Sequence, residues 1–182
     1  ELGLPFEAVP VDLGKHTLPD GSDFRKINPK GYIPLLELDD GSRMTEASVI
    51  MQYLADQKPG TIAPAFGSRS RWQLMEWLAF ISTEVHKGFA PLWNPQTPAE
   101  VRERTVQALG NRFGLLSSTL EKQPFLMGKD FTIADAYLFV VLNWSGYHKV
   151  DLSPWPALQQ FQARVAARPA VQATLKAEGL LQ

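Results

Sequence analysis

Apolar and polar positions change their period once along the chain, and that change divides it. Before residue 58 the pattern is mixed. Phe6, Val9, Val11 and Leu13 mark Phe6–Leu13 as a strand. Pro10 has no N–H to give a ladder, so this strand belongs at a sheet edge. Asp23–Asn28 predicts a short helix halted before Pro29, and Ile33–Leu38 (IPLLEL) a second strand. Asp39-Asp40-Gly41 follows, where Asp-Gly is a two-residue hairpin signal, and Ser42–Thr45 is the returning strand. Thr45 then caps a helix from Glu46 to Lys58, stopped by Pro59-Gly60. After residue 68 the period is helical throughout. Leu74, Trp77, Leu78, Ile81 and Val85 form the stripe of one helix over Arg69–Phe89. Thr97-Pro98-Ala99-Glu100 is a capping box with Pro at the first helical position. The helix it opens turns Val101, Ala108, Leu109, Phe113, Leu116 and Leu120 inward. Thr132-Ile133-Ala134-Asp135 is a second box, with Phe131 placed for a hydrophobic staple. It leads into Ala136–Trp144, apolar on nearly every side and therefore buried all round. Ser153–Arg168 and Pro169–Lys176 are two further helices.

The layout is α/β plus all-α: a mixed unit over residues 1–58, a Pro-, Gly- and Ala-rich linker over 59–67, and an all-helical unit over 68–182. Composition narrows what such a protein does. With 19 acidic and 18 basic side chains among 182 residues, it lacks the basic footprint of a nucleic-acid binder. It has no cysteine, so disulfides and Cys–metal sites are excluded within these residues. Its three histidines, His16, His86 and His148, stand at no metal-ligand spacing, and no metal is expected. Its longest apolar run, Ala136–Leu142, is far shorter than the roughly 20 residues a membrane span needs.

Several short patterns stand in a fixed order: Asn28-Pro29-Lys30-Gly31-Tyr32-Ile33-Pro34, then Leu35–Leu38 with its hairpin, then Thr45-Glu46-Ala47-Ser48, and finally Phe131-Thr132-Ile133-Ala134-Asp135-Ala136-Tyr137. With Gln52–Asp56, Glu84–Gly88 and Arg168–Val171 beside them, the chain resembles a cytosolic glutathione transferase, most similar to the bacterial beta class. The resemblance spans essentially the whole chain. It implies a thioredoxin-like N-terminal domain followed by an all-helical one, a cytoplasmic homodimer, and conjugation of reduced glutathione to small apolar electrophiles. Other glutathione-dependent chemistry on the scaffold (isomerase, dehalogenase, disulfide reductase) and a non-catalytic interaction protein are the alternatives. The family's first strand, with its thiol-activating Ser, Tyr or Cys, has no counterpart here. No catalytic residue is therefore expected within the chain, and about twenty upstream residues are expected before Glu1.

Site residues carry over position by position. The resemblance makes Ile33-Pro34 a cis peptide that turns the Ile33 backbone toward the cysteinyl part of glutathione, with Tyr32 beside it. Glu46 and Ala47 stand at a helix N-terminus, which favours a carboxylate ligand; Glu46 equally complements the helix dipole. Most relatives have Ser or Gly where Ala47 stands. His86 and Lys87 match groups that reach glutathione from the helical domain, although cations at a helix end are favoured regardless, and relatives often place Asn at Ala79. His16 or Lys15 is the candidate for the glycyl carboxylate. Glu84 is the residue expected to act across a dimer interface, where the helix from Arg69 meets the partner's α/β unit, although a solvated helix face explains it equally well. Phe89, Trp93, Trp144, Tyr147 and His148 are the candidate lining of the electrophile site, although aromatic stripes are more often core. Thr132 and Asp135 are structural caps.

Overall fold

The computed structural model describes residues 1–181. Asp23 opens the short helix: its carboxylate accepts from the Arg25 N–H at 2.9 Å, and Phe24–Lys26 makes one tight turn that buries Phe24. Strand β1 (Leu35–Glu37) pairs antiparallel with β2 (Arg43–Thr45), Leu35 opposite Thr45 and Glu37 opposite Arg43. The hairpin between them is longer than the two residues expected. Leu38 N–H bonds Ser42 at 2.9 Å, and Gly41, at φ 79°, returns its N–H to Leu38 at 2.8 Å. This is the three-residue solution, in which a left-handed glycine follows the turn.

Phe6–Leu13 is not a strand. Phe6 and Val9 are largely exposed, and the segment's one ladder-like contact is the bridge from Asp12 to Thr17. An extended run needs a neighbouring strand to take its hydrogen bonds. Among the described residues β1 and β2 pair only with each other, and neither lies beside it.

Helix α1 spans Ala47–Asp56, and Thr45 does not cap it. Glu46 takes that position at φ 71° and ψ 114°, with no side-chain cap bond. Helix α2 (Arg69–Phe80) starts at Ser68, whose hydroxyl accepts from Arg71 N–H at 3.1 Å. The single helix expected through Phe89 breaks at Phe80. Ile81–His86 winds as a π-helix, Lys87–Phe89 tightens into a 3-10 turn, and α3 covers Ala90–Trp93. Across this wider turn Ile81 and Val85 are fully buried, His86 is half-buried and Lys87 is exposed. Single π turns inside α-helices are frequent at functional sites. Gly88 makes the packing possible: a Cβ there would lie 2.8 Å from Cδ2 of the buried Leu109.

Helix α4 (Ala99–Leu120) lacks the expected capping box. Thr97 spends its hydroxyl on the Pro91 carbonyl at 2.6 Å, Glu100 pairs with Arg104, and the helix begins behind Pro98. The second box does form. At the start of α5 (Ile133–His148), the Asp135 carboxylate accepts from the Thr132 N–H at 2.8 Å, the Thr132 hydroxyl at 2.9 Å and the Leu126 N–H at 2.8 Å. Phe131 stacks edge-on to Phe125 and under Arg168. Helix α5 is central and buried over most of its surface, with Val140, Asn143, Gly146 and Tyr147 exposed. Helix α6 (Pro156–Ala166) starts later than Ser153, because Asp151 ties the Ser153 N–H and hydroxyl into a turn. Helix α7 covers Pro169–Ala177.

The mixed and helical parts share one core. Ala55 and Ala63 belong to the same apolar cluster as Leu74 and Leu138. Arg71, 2% exposed, grips Asp56 through both guanidinium ends at 2.8 and 2.9 Å and bonds the Pro64 carbonyl at 3.2 Å. Ile133 N–H bonds Ile62 at 3.0 Å. The Pro59–Gly67 segment is thus packed between the two parts and held by backbone bonds.

Candidate functional site

Three pieces of backbone meet where the parts join: the Pro29–Pro34 loop, the N-terminus of α1, and the end of the π segment. The Ile33-Pro34 peptide is cis. Ile33 is half exposed, and its N–H and C=O find no hydrogen-bond partner among the described residues. A free backbone edge of this kind accepts an extended peptide as an added strand. The loop is held from below. Asn28 Nδ2 donates to the Tyr32 carbonyl at 2.7 Å, and His16 Nδ1 lies 3.0 Å from the Gly31 carbonyl. A carbonyl can only accept, so His16 Nδ1 carries the proton in that bond. His16 therefore supports the loop. Lys15 stays exposed near Asp12, at 3.8 Å.

Glu46 sits beside Ile33-Pro34 at the helix N-terminus. Its left-handed backbone is uncommon for a residue with a side chain, and such strain clusters at functional sites. Lys30 Nζ donates to Glu46 Oε1 at 2.6 Å and to Thr45 Oγ1 at 2.9 Å. That hydrogen bond, then the charges of Lys30 and Lys87, holds the Glu46 carboxyl below the usual carboxylate range. His86 completes the cluster. Burial pushes its imidazole below the ordinary histidine value, the Lys87 charge adds to this, and Glu46 pulls partly back. Its Nδ1 lies 2.8 Å from the Tyr137 hydroxyl, and Trp144 meets its ring edge-on at 4.7 Å. The cleft thus offers a free peptide edge, open helix N–H groups, one carboxylate, two ammonium groups and a neutral imidazole. That set matches a peptide bearing carboxylates, an amine and an acidic thiol. A cavity of about 430 Å³ between α2, α4 and the 121–128 turn has no such convergence; Trp77, Phe80, Leu115 and Met127 dominate its walls.

Comparison with known proteins agrees with that inventory. Residues 1–57 match the glutathione S-transferase N-terminal domain model, and residues 80–169 match the C-terminal domain model. The glutathione S-transferase GstA of Escherichia coli O157:H7 is 44% identical over 182 residues, covering 99% of this chain and 90% of the relative. This chain belongs to the glutathione S-transferase family. Solved structures match it as closely. The ternary complex of BphK, a bacterial glutathione S-transferase, superposes with a TM-score of 0.95 at 51% identity, covering 98% of this chain and 90% of that one. A sphingomonad glutathione S-transferase complexed with glutathione gives 0.94 at 41%, again over 98% and 90%. The fold is therefore the thioredoxin-like and all-helical pair of the bacterial beta-class enzymes.

The transferase's aromatic residues divide into wall and core. Trp93 stacks on Tyr147 at 5.3 Å and meets Trp144 edge-on at 5.4 Å, and all three retain exposure. Phe89 and His148 do not line an open site. Phe89 is fully buried under Trp144, and His148 is buried with its ring 4.3 Å from Trp93. Their side chains pack between α4 and α5, the core placement that an aromatic stripe more often means. Glu84 is held within its own chain by Arg112, at 2.8 Å. Two site residues escaped the sequence reading. Lys30 is the one cation of the Asn28–Pro34 motif. Tyr137 carries the one side-chain hydroxyl in the apolar run Ala136–Leu142, and a buried hydroxyl must find a partner.

Proposed function

We propose that this transferase binds reduced glutathione across the junction and joins its sulfur to small apolar electrophiles. The Ile33 backbone pairs with the cysteinyl unit while Tyr32 closes over it. The amide end at Glu46-Ala47 receives the γ-glutamyl carboxylate, and the Glu46 carboxylate meets its amine. Lys15 or His16 serves the glycyl carboxylate. Since the His16 ring is committed to Gly31 through Nδ1, Lys15 is the simpler candidate. His86 and Lys87 approach from the helical side, where a cation and an N–H favour thiolate over thiol. Trp93, Trp144 and Tyr147 form the apolar wall for the electrophile.

The observation that carries this reading is the convergence of Glu46, Lys30, Lys87 and His86 on the free edge at Ile33. The protein works on this reading as a cytoplasmic homodimer. Largely exposed Phe66, just before α2, and Trp72, in its first turn, supply the apolar surface for a partner's α/β unit, and Glu84 lies in the π segment that follows α2. Among the described residues no helix is long and apolar enough to cross a membrane. Titration with glutathione, followed by tryptophan fluorescence, tests the site. Glu46→Gln and Lys87→Met are each expected to weaken binding about tenfold, the loss of one charge-assisted bond. Unchanged affinity in both would contradict the placement.

A further inference from the structure

Tyr137 lies outside the glutathione contacts just described, yet the side chain it meets at close hydrogen-bond distance, His86, is inside them; the Ser82 hydroxyl lies nearby. The phenol is 7% exposed on the central helix, and its hydroxyl meets His86 Nδ1 at 2.8 Å across 51 positions of chain. We propose that Tyr137 is a positioning residue: its O–H donates to Nδ1, holds His86 as the Nε2–H tautomer, and so presents one neutral N–H donor to the cleft. The inference rests on the reading of His86 as a glutathione contact.

Hydrogen accounting decides the direction of the bond. A neutral phenol carries one hydrogen and an imidazole one more. If Nδ1–H donated to the phenol oxygen, the buried phenol hydrogen would have only the neighbouring Ser82 hydroxyl to turn to, a contact that falls outside ordinary hydrogen-bond geometry, whereas the bond to His86 is short and direct. If the phenol donates instead, its hydrogen is paired and the imidazole proton resides on Nε2, which has no partner among the described residues. Burial supports both neutral forms: it pushes the Tyr137 phenol up and the His86 imidazole down. The ring is seated by Trp144 on one side, at 4.7 Å, and Tyr137 on the other, at 5.8 Å. The π turn over Ile81–His86 brings the imidazole to them. A donor fixed in tautomer and direction before the ligand arrives needs no reorganisation to meet an acceptor atom of glutathione.

The test is a long-range proton–nitrogen correlation spectrum of 15N-labelled protein at pH 7.5. Three histidines keep it tractable, and the His86 signals are identified by their loss in His86→Gln. Wild type should show Nδ1 unprotonated and Nε2 protonated. Tyr137→Phe should shift His86 toward an averaged mixture of tautomers and raise the glutathione Kd about tenfold. In a His86→Gln background the same substitution should change Kd less than twofold, because Tyr137 acts only through that ring. A proton on Nδ1 in wild type, an unchanged tautomer in Tyr137→Phe, or an equal penalty in both backgrounds overturns the assignment. Unchanged affinity in His86→Gln alone overturns the underlying placement of His86, and the spectra tell the two failures apart.

Discussion

Before residue 58, the buried apolar side chains are Phe24, Ile50 and Ala55; beyond residue 68 they run from Leu74 through Leu78, Ile81, Val85, Leu109, Phe113, Leu138 and Leu142 to Val165. The two parts hold their shape by different means. The mixed part is stitched by short polar loops: Asp23 to Arg25, Asp40 to Ser42, Asn28 to Tyr32, His16 to Gly31. The helical part is a close-packed interior, with its polar anchor at Asp135. This division suits a ligand read by peptide groups. A thin unit leaves backbone N–H and C=O free at Ile33 and at the start of α1, whereas a packed helical unit can aim side chains such as His86 and Lys87 from a rigid base.

Substitutions at the polar anchors separate the two regimes. The largest effect is expected at Asp135. Asp135→Ala leaves the buried Leu126 and Thr132 donors unpaired and should cost about 3 kcal/mol in chemical denaturation. A loss below about 1 kcal/mol would mean the packed interior does not depend on its cap. Next is the clamp between the parts. Asp56→Ala strands the buried Arg71 guanidinium and should cost about 2 kcal/mol, reduced from the value for fully buried pairs because Asp56 is itself 41% exposed. If that loss came with an unchanged glutathione affinity, the two parts would be coupled in stability but not in binding.

A smaller effect is a pH slope. Burial holds His86 and His148 below the ordinary histidine value of about 6.5. The unfolded chain then binds more protons than the folded one in the window from that value down to the depressed folded values. Stability therefore falls as pH drops through about 6.5 and levels off below the folded values. Melting midpoints of wild type and His86→Gln should converge or cross as pH falls through this window, since glutamine does not titrate. A constant gap would place the imidazole in water. The smallest effect belongs to the exposed hairpin: Asp40→Ala should change stability by less than about 0.5 kcal/mol. A larger loss would erase the contrast between stitched loops and packed core.

Features that were legible in the sequence are those written at short separation. Thr132 and Asp135 stand at capping-box spacing, and Asp-Gly marked the hairpin, although its length depended on Gly41 taking a left-handed backbone. The break at Phe80 was illegible because the apolar stripe Leu74–Val85 continues through the π turn without a fault in its period. Phe6–Leu13 has strand-like residues, but a strand also needs a partner, which composition does not record. The Lys30–Glu46 and Tyr137–His86 pairs join residues 16 and 51 positions apart. Only folding brings such pairs together, and only their chemistry hinted at them: one cation in the Asn28–Pro34 motif, one hydroxyl in an apolar run. The family resemblance supplied the cis peptide, and it is also what singles out His86 and Lys87 as proposed contacts, which spacing alone could not separate from helix-end charges.

The central claim is that one molecule of glutathione is held by both parts at once. Amide chemical shifts of 15N-labelled protein titrated with reduced glutathione test it most directly. The account predicts that Ile33, Ala47, His86 and Lys87 shift together along curves that fit a single Kd. Shifts confined to Ile33 and Ala47, with His86 and Lys87 unmoved at saturation, would contradict it.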